Sequence, residues 1–480
     1  MSVISKLTSL GAAGASGGDS GWFVEIDPSR TGNANLFSIR IDTTNDIIYA
    51  GGQVGSSPTY GYLIKGDVAG DFTAGYKYFE SGASSGTYRI DGLELFPNGG
   101  GLLAAFNMYS NQSTERSAAV DINTSTLAAS DLDAGLSSPY VRGWRNSNAR
   151  SGNCMICEPN GNDVWLGFSG WSGSNTSNLL LKHGGAYTTS TSYVKDAVVY
   201  STQYPRSMLR DGNEIYYNAL SGPATGQGGY GNLLFKITAS TGDQEKRGHN
   251  YSANGGQYGA QQTQCSDGNY GLAVDSTHIY TIGHHSLNHT TTLSVNMTHV
   301  QKILKSNMNL VWQRKWQEYR GGSYHQGQGK TIAVDSNGNV YGLSKSNGYY
   351  DSCKIVKYNS SGTLQNVVEV RTHVSNNSKR LDINACQIHG DFLYVAGRVK
   401  KANDDFHALV AKLPLDLTSA VGVYGDFTIY QLASSEIYER TNYATYSTSS
   451  GSFGNHTPQS SNWQLDQSTD GFASETLTSI

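Results

Sequence analysis

A hairpin unit recurs along this chain, and the repeat limits the possible folds more than any other feature of the sequence. Its clearest copy has an apolar run at 331–335, a turn at 336–339 and a second apolar run at 340–343. A third apolar run at 353–358 follows and carries Lys357 near its end. Seven copies keep this order of apolar strand, turn, apolar–aromatic strand and lysine-ending strand. The chain therefore consists mainly of one small sheet, repeated.

Two residue types mark the unit and give its length. The second strand carries an aromatic residue in six copies and a leucine in one: Tyr49, Leu103, Trp165, Tyr216, Tyr280, Tyr341 and Tyr394. The third strand ends in a lysine in six copies and in an aspartate in one: Lys65, Asp121, Lys182, Lys236, Lys305, Lys357 and Lys412. The aromatic recurs every ~58 residues, which is the length that a four-stranded blade needs. Because such sheets must stack on one another and a closed ring leaves none unstacked, the sequence predicts an all-β fold, a seven-bladed β-propeller.

The composition agrees with a turn-rich β protein and disfavours several other classes. The chain has 57 Gly and 31 Tyr but only 15% charged residues, which suits tight turns and half-buried sheet surfaces. A net charge of -4 with no basic run disfavours nucleic acid as a partner. Five cysteines without a small-scaffold spacing do not indicate a disulfide framework. No run of 18 apolar residues and no signal-peptide core are present, so we expect neither a membrane span nor Sec export.

Residues 1–21 differ from the repeats and are predicted to be a docking peptide with a Gly/Ala linker. Val3, Ile4, Leu7 and Leu10 have near-helical spacing, but one or two helical turns are not stable without a partner. The Gly- and Ala-rich stretch at 11–18 would serve as a flexible spacer. We therefore expect the four apolar residues to bind a partner, whereas a frayed terminus is the alternative.

The remaining chain is divided into the propeller at 22–435 and a polar arm at 436–480. Either the segment 22–26 or the segment 427–432 could supply the strand that closes the ring, and the sequence leaves both open. The arm is rich in Ser, Thr, Asn and Gln with scattered aromatics. It is predicted either to wrap the ring or to contact neighbouring molecules.

Several constellations that could carry chemistry are better explained as structure. Cys154 and Cys157 have C-x-x-C spacing, but they fall in a strand where residues three apart point to opposite faces. A group of histidines lacks interleaved Cys, Asp or Glu and indicates a solvated connection rather than a zinc site: His278, His284, His285, His289, His299 and His325. The loop 335–339 supplies one carboxylate, too few for calcium, and its Asn337-Gly338 pair is typical of a two-residue hairpin turn.

The recurring lysines are interpreted as strand-end residues whose stems cover apolar surface, with a positive ring for an anionic glycan as the alternative. The chain contains no P-loop, H-E-x-x-H or sialidase-box motif. We therefore predict a protein that is not an enzyme and that has no catalytic, metal or cofactor site. Carboxylates brought together across the ring from distant blades would escape this search.

Two units resemble the repeat of the SBBP seven-bladed β-propeller family: 332–342 with 355–364, and 271–283. The first 14 residues are similar to the start of virion structural proteins of marine tailed phages. This likeness implies that residues 1–21, here called the leader, dock an outer domain onto the particle. We expect a phage virion structural protein, assembled in the host cytoplasm, that acts as a decoration, fibre or tail-associated adhesin. Its partners would be other virion proteins and host surface glycan, with several copies on a symmetric particle. A glycan-binding propeller, a polysaccharide-degrading enzyme and a secreted bacterial propeller are the alternatives.

Overall fold

The computed structural model describes most of the chain in separate ranges. They are 2–8, 21–27, 33–56, 59–80, 86–97, 101–109, 115–130, 140–145, 154–160, 163–172, 175–183, 191–196, 203–221, 231–251, 271–288, 294–347, 352–372, 381–400, 405–424, 426–441, 445–449, 454–455, 459–469 and 472–474. Within these ranges the chain is almost entirely β-strand, with one short 3-10 helix at Ser434–Glu436. The predicted all-β propeller is confirmed.

The described strands before residue 415 form successive antiparallel groups, here called blades 1 to 7. Two strands precede the first group: β1 (Ser2–Thr8) and β2 (Trp22–Ile26). Blade 1 contains β3 (Ala34–Asp42), β4 (Ile47–Val54), β5 (Tyr60–Asp67) and β6 (Phe72–Glu80). Blade 2 contains β7 (Thr87–Leu95), β8 (Gly101–Tyr109), β9 (Glu115–Asn123), β10 (Ala129–Ser130) and β11 (Tyr140–Arg145). Blade 3 contains β12 (Cys154–Ile156), β13 (Val164–Ser172), β14 (Asn175–His183) and β15 (Thr191–Asp196). Blade 4 contains β16 (Gln203–Asp211), β17 (Glu214–Ser221), β18 (Gly231–Thr238) and β19 (Gln244–Tyr251).

The same arrangement continues through the second half of the chain. Blade 5 contains β20 (Leu272–Val274), β21 (His278–Asn288), β22 (Ser294–Leu304) and β23 (Leu310–Arg320). Blade 6 contains β24 (Ser323–Val334), β25 (Val340–Asn347), β26 (Cys353–Tyr358) and β27 (Leu364–Thr372). Blade 7 contains β28 (Leu381–His389), β29 (Phe392–Lys400) and β30 (Phe406–Pro414), and it takes β2 as its fourth strand. The last described strands are β31 (Gly422–Tyr424), β32 (Phe427–Gln431), β33 (Ile437–Thr441), β34 (Thr445–Ser449), β35 (Gly454–Asn455), β36 (Gln459–Thr469) and β37 (Phe472–Ser474).

The ring is closed by the strand before the first blade. Trp22 pairs with Lys412 and Ile26 with Ala408, so β2 lies antiparallel to β30 of the last blade. Of the two candidates left open by the sequence, the segment 22–26 is therefore the closing strand. The other candidate, β32, pairs with β27 of blade 6 instead. Strand β11 pairs with β9 of blade 2 and with β36.

The core consists of apolar clusters, each shared by two successive blades. One such cluster joins blade 7 to blade 1 and includes Trp22, Val24 and Tyr394 on one side and Ile39 and Ile64 on the other. Equivalent clusters lie between all other successive pairs of blades in the described residues. Because each sheet buries both faces against its neighbours, the strands read as nearly continuous apolar runs. Burial at these interfaces is the main source of stability for stacked repeats.

The strands after residue 426 run back around the ring and cover the outer edges of the blades. In chain order, β32 adds to blade 6, β33 to blade 5, β34 to blade 4 and β35 to blade 3. The long strand β36 then pairs with both β11 of blade 2 and β6 of blade 1. The last strand, β37, lies parallel to β1, which itself pairs with β2 of blade 7. The described strands of the polar arm therefore wrap the ring, one of the two possibilities that the sequence allowed.

Candidate functional site

The repeated aromatic and lysine residues are direct cross-strand partners. Tyr341 of β25 lies opposite Lys357 of β26, with the ammonium nitrogen 5.3 Å from the centre of the tyrosine ring. The same pairing joins Tyr49 to Lys65, Trp165 to Lys182, Tyr216 to Lys236 and Tyr394 to Lys412. In blade 2 the odd residues Leu103 and Asp121 also face each other. The two sequence signals thus mark one structural position.

In blade 5 the lysine predicted from the sequence, Lys305, is wrong. Tyr280 lies opposite Lys302, not opposite Lys305, and the ammonium of Lys302 is 5.6 Å from the centre of the ring. Lys305 falls in the turn that follows β22, where its ammonium bonds the Asp211 carboxylate and the Asp275 carbonyl. The spacing from the aromatic alone did not separate the two lysines, because the length of the hairpin between them differs from blade to blade.

Several of these lysines bond one blade to the next, whereas Lys182 bonds Asp163 within its own blade, at 2.8 Å. The ammonium of Lys65 donates to the Thr124 carbonyl at 2.7 Å, and that of Lys357 donates to the Leu415 carbonyl at 2.9 Å. Each acceptor lies in the turn after the third strand of the following blade. The Trp22 indole donates in the same way from blade 7 to Val68 of blade 1, at 3.1 Å. Their ammonium groups are therefore engaged within the ring, which favours the structural interpretation over a positive ring for a glycan.

The turns that accept these bonds contain a residue in the left-handed conformation. It is glycine in three blades, Gly70, Gly242 and Gly362, and a larger apolar residue in three others, Leu127, Met308 and Leu417. The three apolar side chains are fully buried in clusters between blades. A positive φ is unfavourable for such residues, so burial in the core must compensate for the strain.

The predicted partner-binding residues lie partly within the described chain. Val3, Ile4 and Leu7 belong to β1, where Ile4 pairs with Ile26 and Leu7 with Phe23 of β2. The near-helical conformation expected for this segment is therefore wrong, because its backbone joins the edge of the blade 7 sheet as an extended strand. Leu10 lies outside the described residues. Binding of these residues to another protein stays a prediction.

The prediction that the histidines lie in a solvated connection is wrong for those that the structure describes, because they lie in strands. His278, His284 and His285 belong to β21, and His299 lies in β22 opposite Gly283, so the long hairpin of blade 5 holds them in a sheet. His289 is outside the described residues. Within those residues no group of three or more His, Cys, Asp or Glu side chains could hold a metal ion. Likewise, no described helix is long and apolar enough to cross a membrane.

Three described cysteines are free thiols, of which Cys157 and Cys353 are buried and Cys386 is partly buried. Cys154 begins β12 opposite Phe168, as predicted, whereas Cys157 lies just after the end of this strand as a buried free thiol. Burial raises the pKa of the Cys157 thiol well above its ordinary value. Burial likewise raises the pKa of Cys386 to about 12, despite a contact with the Thr331 hydroxyl at 3.3 Å. Thiols with raised pKa values are poor nucleophiles and poor metal ligands.

A cleft of about 530 Å³ opens between the first turns of blades 5 and 6. Its walls include Asp275 and Asp335, whose carboxylates accept backbone N–H bonds that close the two turns. Burial raises the pKa of Asp275, but hydrogen bonds from the Tyr280 hydroxyl and two backbone amides outweigh the effect of burial. The pKa therefore falls below its usual range. In the loop 335–339 only Gly338 has a positive φ, so the turn is a three-to-five-residue type rather than the predicted two-residue one. Both carboxylates are committed to turn structure.

A buried ionic cluster lies between β23, β26 and β27. The ammonium of Lys354 is 2.7 Å from a Glu318 oxygen and 3.6 Å from a Glu369 oxygen, and all three side chains are almost fully buried. The Ser352 hydroxyl donates to Glu369 at 2.7 Å. Burial raises the pKa of Glu369, but Lys354, Ser352 and the nearby arginines outweigh it, and the pKa is below its ordinary value. Arg320 connects this cluster to the surface through Glu436, at 2.9 Å.

Three tyrosines form an exposed aromatic group beside that cluster, here called the tyrosine patch. Tyr319 and Tyr324 lie opposite each other at the end of the β23–β24 hairpin and are 38% and 47% exposed. Their ring centres are 4.8 Å apart, and Tyr438 of β33 lies 5.2 Å from Tyr324. The hairpin turns through Gly321 and Gly322, both with positive φ. No pattern in the sequence indicates this patch, because its members come from three strands.

Comparison with known proteins finds only distant likenesses. No protein family and no curated protein matches this chain. Among solved structures, the Pan2 WD40 domain of Neurospora crassa is 8% identical over 79% of this chain and 89% of that chain, with a TM-score of 0.43. Polysaccharide lyase Uly1 is 10% identical over 81% of this chain and 91% of that one, with a TM-score of 0.42. The tail fibre of Staphylococcus aureus phage P68 is 10% identical over 70% and 94%, with a TM-score of 0.14. Likenesses this distant carry no argument about activity.

Proposed function

We propose that this chain is a structural and adhesive protein of a phage virion that does not act as an enzyme. Residues near its beginning would fasten it to other virion proteins during assembly in the host cytoplasm. The propeller would then stand outward in many copies as a decoration, fibre or tail-associated adhesin. The leader's likeness to virion proteins suggests the attachment, and the two quoted SBBP-like units suggest kinship with that repeat family.

The observation that supports this proposal is the way the last strands finish the ring. Blades 1 to 6 each receive a further strand from this part of the chain, from β32 on blade 6 around to β36 on blades 1 and 2. Uncovered edge strands pair readily with other chains, and this hazard grows when many copies stand close together. The added strands β33, β34 and β35 become new edges but are short, and β36 is paired on both sides, so the ring can be displayed densely without joining its neighbours edge to edge.

The two ends of the described chain also meet at one place. Strand β1 lies between β2 and β37, so the first and the last described strands share the outer edge of blade 7. Attachment through the leader would therefore hold the propeller by one blade. The other blades would remain available for contacts with a host, and many weak contacts on one particle would add to strong attachment.

Particle assembly with a leader-deleted protein tests the proposal. We expect a chain lacking residues 2–20 to fold but not to enter particles, as measured by its abundance in purified virions. A triple variant, Val3→Asp with Ile4→Asp and Leu7→Asp, should fail in the same way, whereas the matched control Ser2→Asn with Ser5→Asn and Thr8→Asn should enter normally. Normal incorporation of the triple variant would contradict the docking role.

Host-glycan binding is the second candidate function, and the tyrosine patch favours it. Tyr319 and Tyr324 present large exposed ring surfaces at the tip of a stiff hairpin rather than on a long loop. Exposed tyrosines of this kind are common in binding surfaces, since they offer contact area with little loss of side-chain freedom. This function is compatible with the first, because an adhesin on a virion needs a host ligand.

A further inference from the structure

We propose that the tyrosine patch is the saccharide-binding site of this propeller and that its ligand is a neutral polysaccharide. The inference rests on the proposed adhesive function and makes it more specific. It assigns the site to Tyr319, Tyr324 and Tyr438, and it predicts uncharged sugar rings stacked on their faces.

The geometry of the rings suits stacking. The planes of Tyr319 and Tyr324 are inclined by 49°, and those of Tyr324 and Tyr438 by 64°, so the patch has several facets instead of one flat surface. The face of an aromatic ring is electron-rich and attracts the weakly positive C–H groups on the face of a sugar ring. Because the ring centres are 4.8 and 5.2 Å apart, the three rings form one continuous aromatic surface on which a saccharide can lie.

The site is held in place before any ligand binds. Tyr319 and Tyr324 are joined through the backbone register of β23 and β24, and the Gly321–Gly322 turn restricts the hairpin to a short connection. On the other side of β23, Gln317 pairs with Tyr438 of β33, which places the third ring on the same sheet. A preorganised aromatic surface loses little entropy on binding, which favours affinity.

The charges beside the patch favour a neutral ligand over an acidic one. Arg320 lies at the tip of the hairpin, but its guanidinium is within 3.4 Å of carboxylate oxygens of both Glu318 and Glu369. A third carboxylate, Glu436, is 2.9 Å away. This arginine therefore offers no surplus positive charge to a polyanion, and the chain as a whole carries a net charge of -4. Lys354 and Arg371 balance the remaining carboxylates of the cluster, so these groups offer an anionic polymer no net attraction.

The size of the patch favours a saccharide over a folded protein. A stable protein interface buries roughly 800 Å² on each partner and is centred on fully desolvated residues. Three partly exposed rings at a hairpin tip offer less than that, but they are enough for one or two sugar units. Weak binding at each site would be strengthened by the many copies expected on a particle.

Binding of the full-length protein to immobilised polysaccharides tests the inference. The probes are neutral dextran, mannan and galactan, with alginate and polygalacturonate as acidic polymers. We expect binding to at least one neutral polymer and none to the acidic ones. Tyr319→Ala with Tyr324→Ala should weaken binding about tenfold or more, as expected for loss of central aromatic contacts. Tyr324→Phe should keep most of it, because the ring remains.

The matched control is Tyr430→Ala, which removes another exposed tyrosine, on β32, and should bind like the unaltered protein. Retention of β-sheet circular dichroism will show that the variants fold. If the unaltered protein binds a neutral polymer and the double variant binds equally well, glycan adhesion stands but this site is wrong. Binding to the acidic polymers alone would overturn the neutral ligand. If no polymer is bound while the double variant loses binding to a host surface protein, the patch is a protein-binding site and the inference fails. Binding to neither overturns both the inference and glycan adhesion, and leaves attachment to the particle to be judged by the leader variants.

Discussion

The ammonium nitrogen of Lys302 in blade 5 donates a hydrogen bond to the carbonyl oxygen of Ser360 in blade 6, at 3.0 Å. Ser360 belongs to the turn after the third strand of its blade, and the Trp312 indole donates to the same oxygen at 3.2 Å. The same relationship recurs from Lys65 to Thr124 and from Lys357 to Leu415. In these three blades the repeated lysine forms a hydrogen bond to the next blade. Its ammonium group also lies over the ring of its tyrosine partner.

Replacement of this lysine tests the inter-blade bond. We expect Lys302→Met to lower the free energy of unfolding by about 1 kcal/mol, because the apolar stem is kept and one hydrogen bond is lost while Trp312 still donates. Chemical denaturation followed by circular dichroism measures the change. The control Gln365→Met alters an exposed side chain of blade 6 whose bonds are local, and it should change stability by less than about 0.5 kcal/mol. Equal stability of the two variants would contradict the role assigned to Lys302.

The strained turn residue Met308 gives a second prediction. Met308 has φ +62 and is fully buried, so Met308→Gly relieves about 1 kcal/mol of strain but loses the burial of a large side chain. We expect a net loss of about 1 to 3 kcal/mol, whereas Met308→Leu should cost less than about 1.5 kcal/mol. Thermal unfolding of the two variants distinguishes the relief of backbone strain from the loss of side-chain burial. A glycine variant more stable than the unaltered protein would show that strain, not burial, dominates this turn.

Truncation of the arm tests the covering of the blade edges. A chain that ends after Ala433 keeps β32 but loses every later strand, which uncovers the outer edges of blades 1 to 5. We expect this protein to self-associate, because bare strand edges pair with other chains. Light scattering during size-exclusion chromatography measures the association. A chain that ends after Thr469 keeps those edges covered and should have the same association state as the full chain. If the chain that ends after Ala433 is monomeric, the proposal is contradicted.

The buried cluster around Lys354 predicts how stability depends on pH. The pKa of Glu369 is below its ordinary value in the folded protein, so this carboxylate stabilises the fold above its unfolded pKa of about 4.3. That stability is lost as the pH falls through the folded pKa. We therefore expect the free energy of unfolding to fall when the pH is lowered from about 6 to about 3.

The variant Lys354→Met serves as the test of this explanation. At neutral pH it should destabilise the protein by about 3 to 5 kcal/mol, because Glu318 and Glu369 lose their buried cation. Its stability should then fall less on acidification than that of the unaltered protein, since protonation of Glu369 no longer breaks a favourable pair. Denaturation at several pH values measures both quantities. Parallel pH profiles for the two proteins would place the acid sensitivity elsewhere in the ring.

The amino-acid sequence by itself determined the repeated unit and therefore the class of fold. The aromatic at Tyr341, the lysine at Lys357 and the turn at 335–339 are local signals, since strand alternation and turn chemistry depend on residues close in the chain. The same signals placed Cys154 in a strand. They did not separate Lys302 from Lys305, because the correct lysine depends on the register across a hairpin of variable length.

Only the tertiary structure decided which strands close and cover the ring. The pairing of Trp22 with Lys412 joins residues at opposite ends of the sequence, and the arm finds its blades in reverse order. A polar edge strand pairs through the free backbone N–H and C=O groups of the neighbouring strand. Its side chains therefore show little apolar alternation that would predict the pairing. The tyrosine patch is invisible in the sequence for the same reason, because Tyr319, Tyr324 and Tyr438 become neighbours only when β24 and β33 pair on either side of β23.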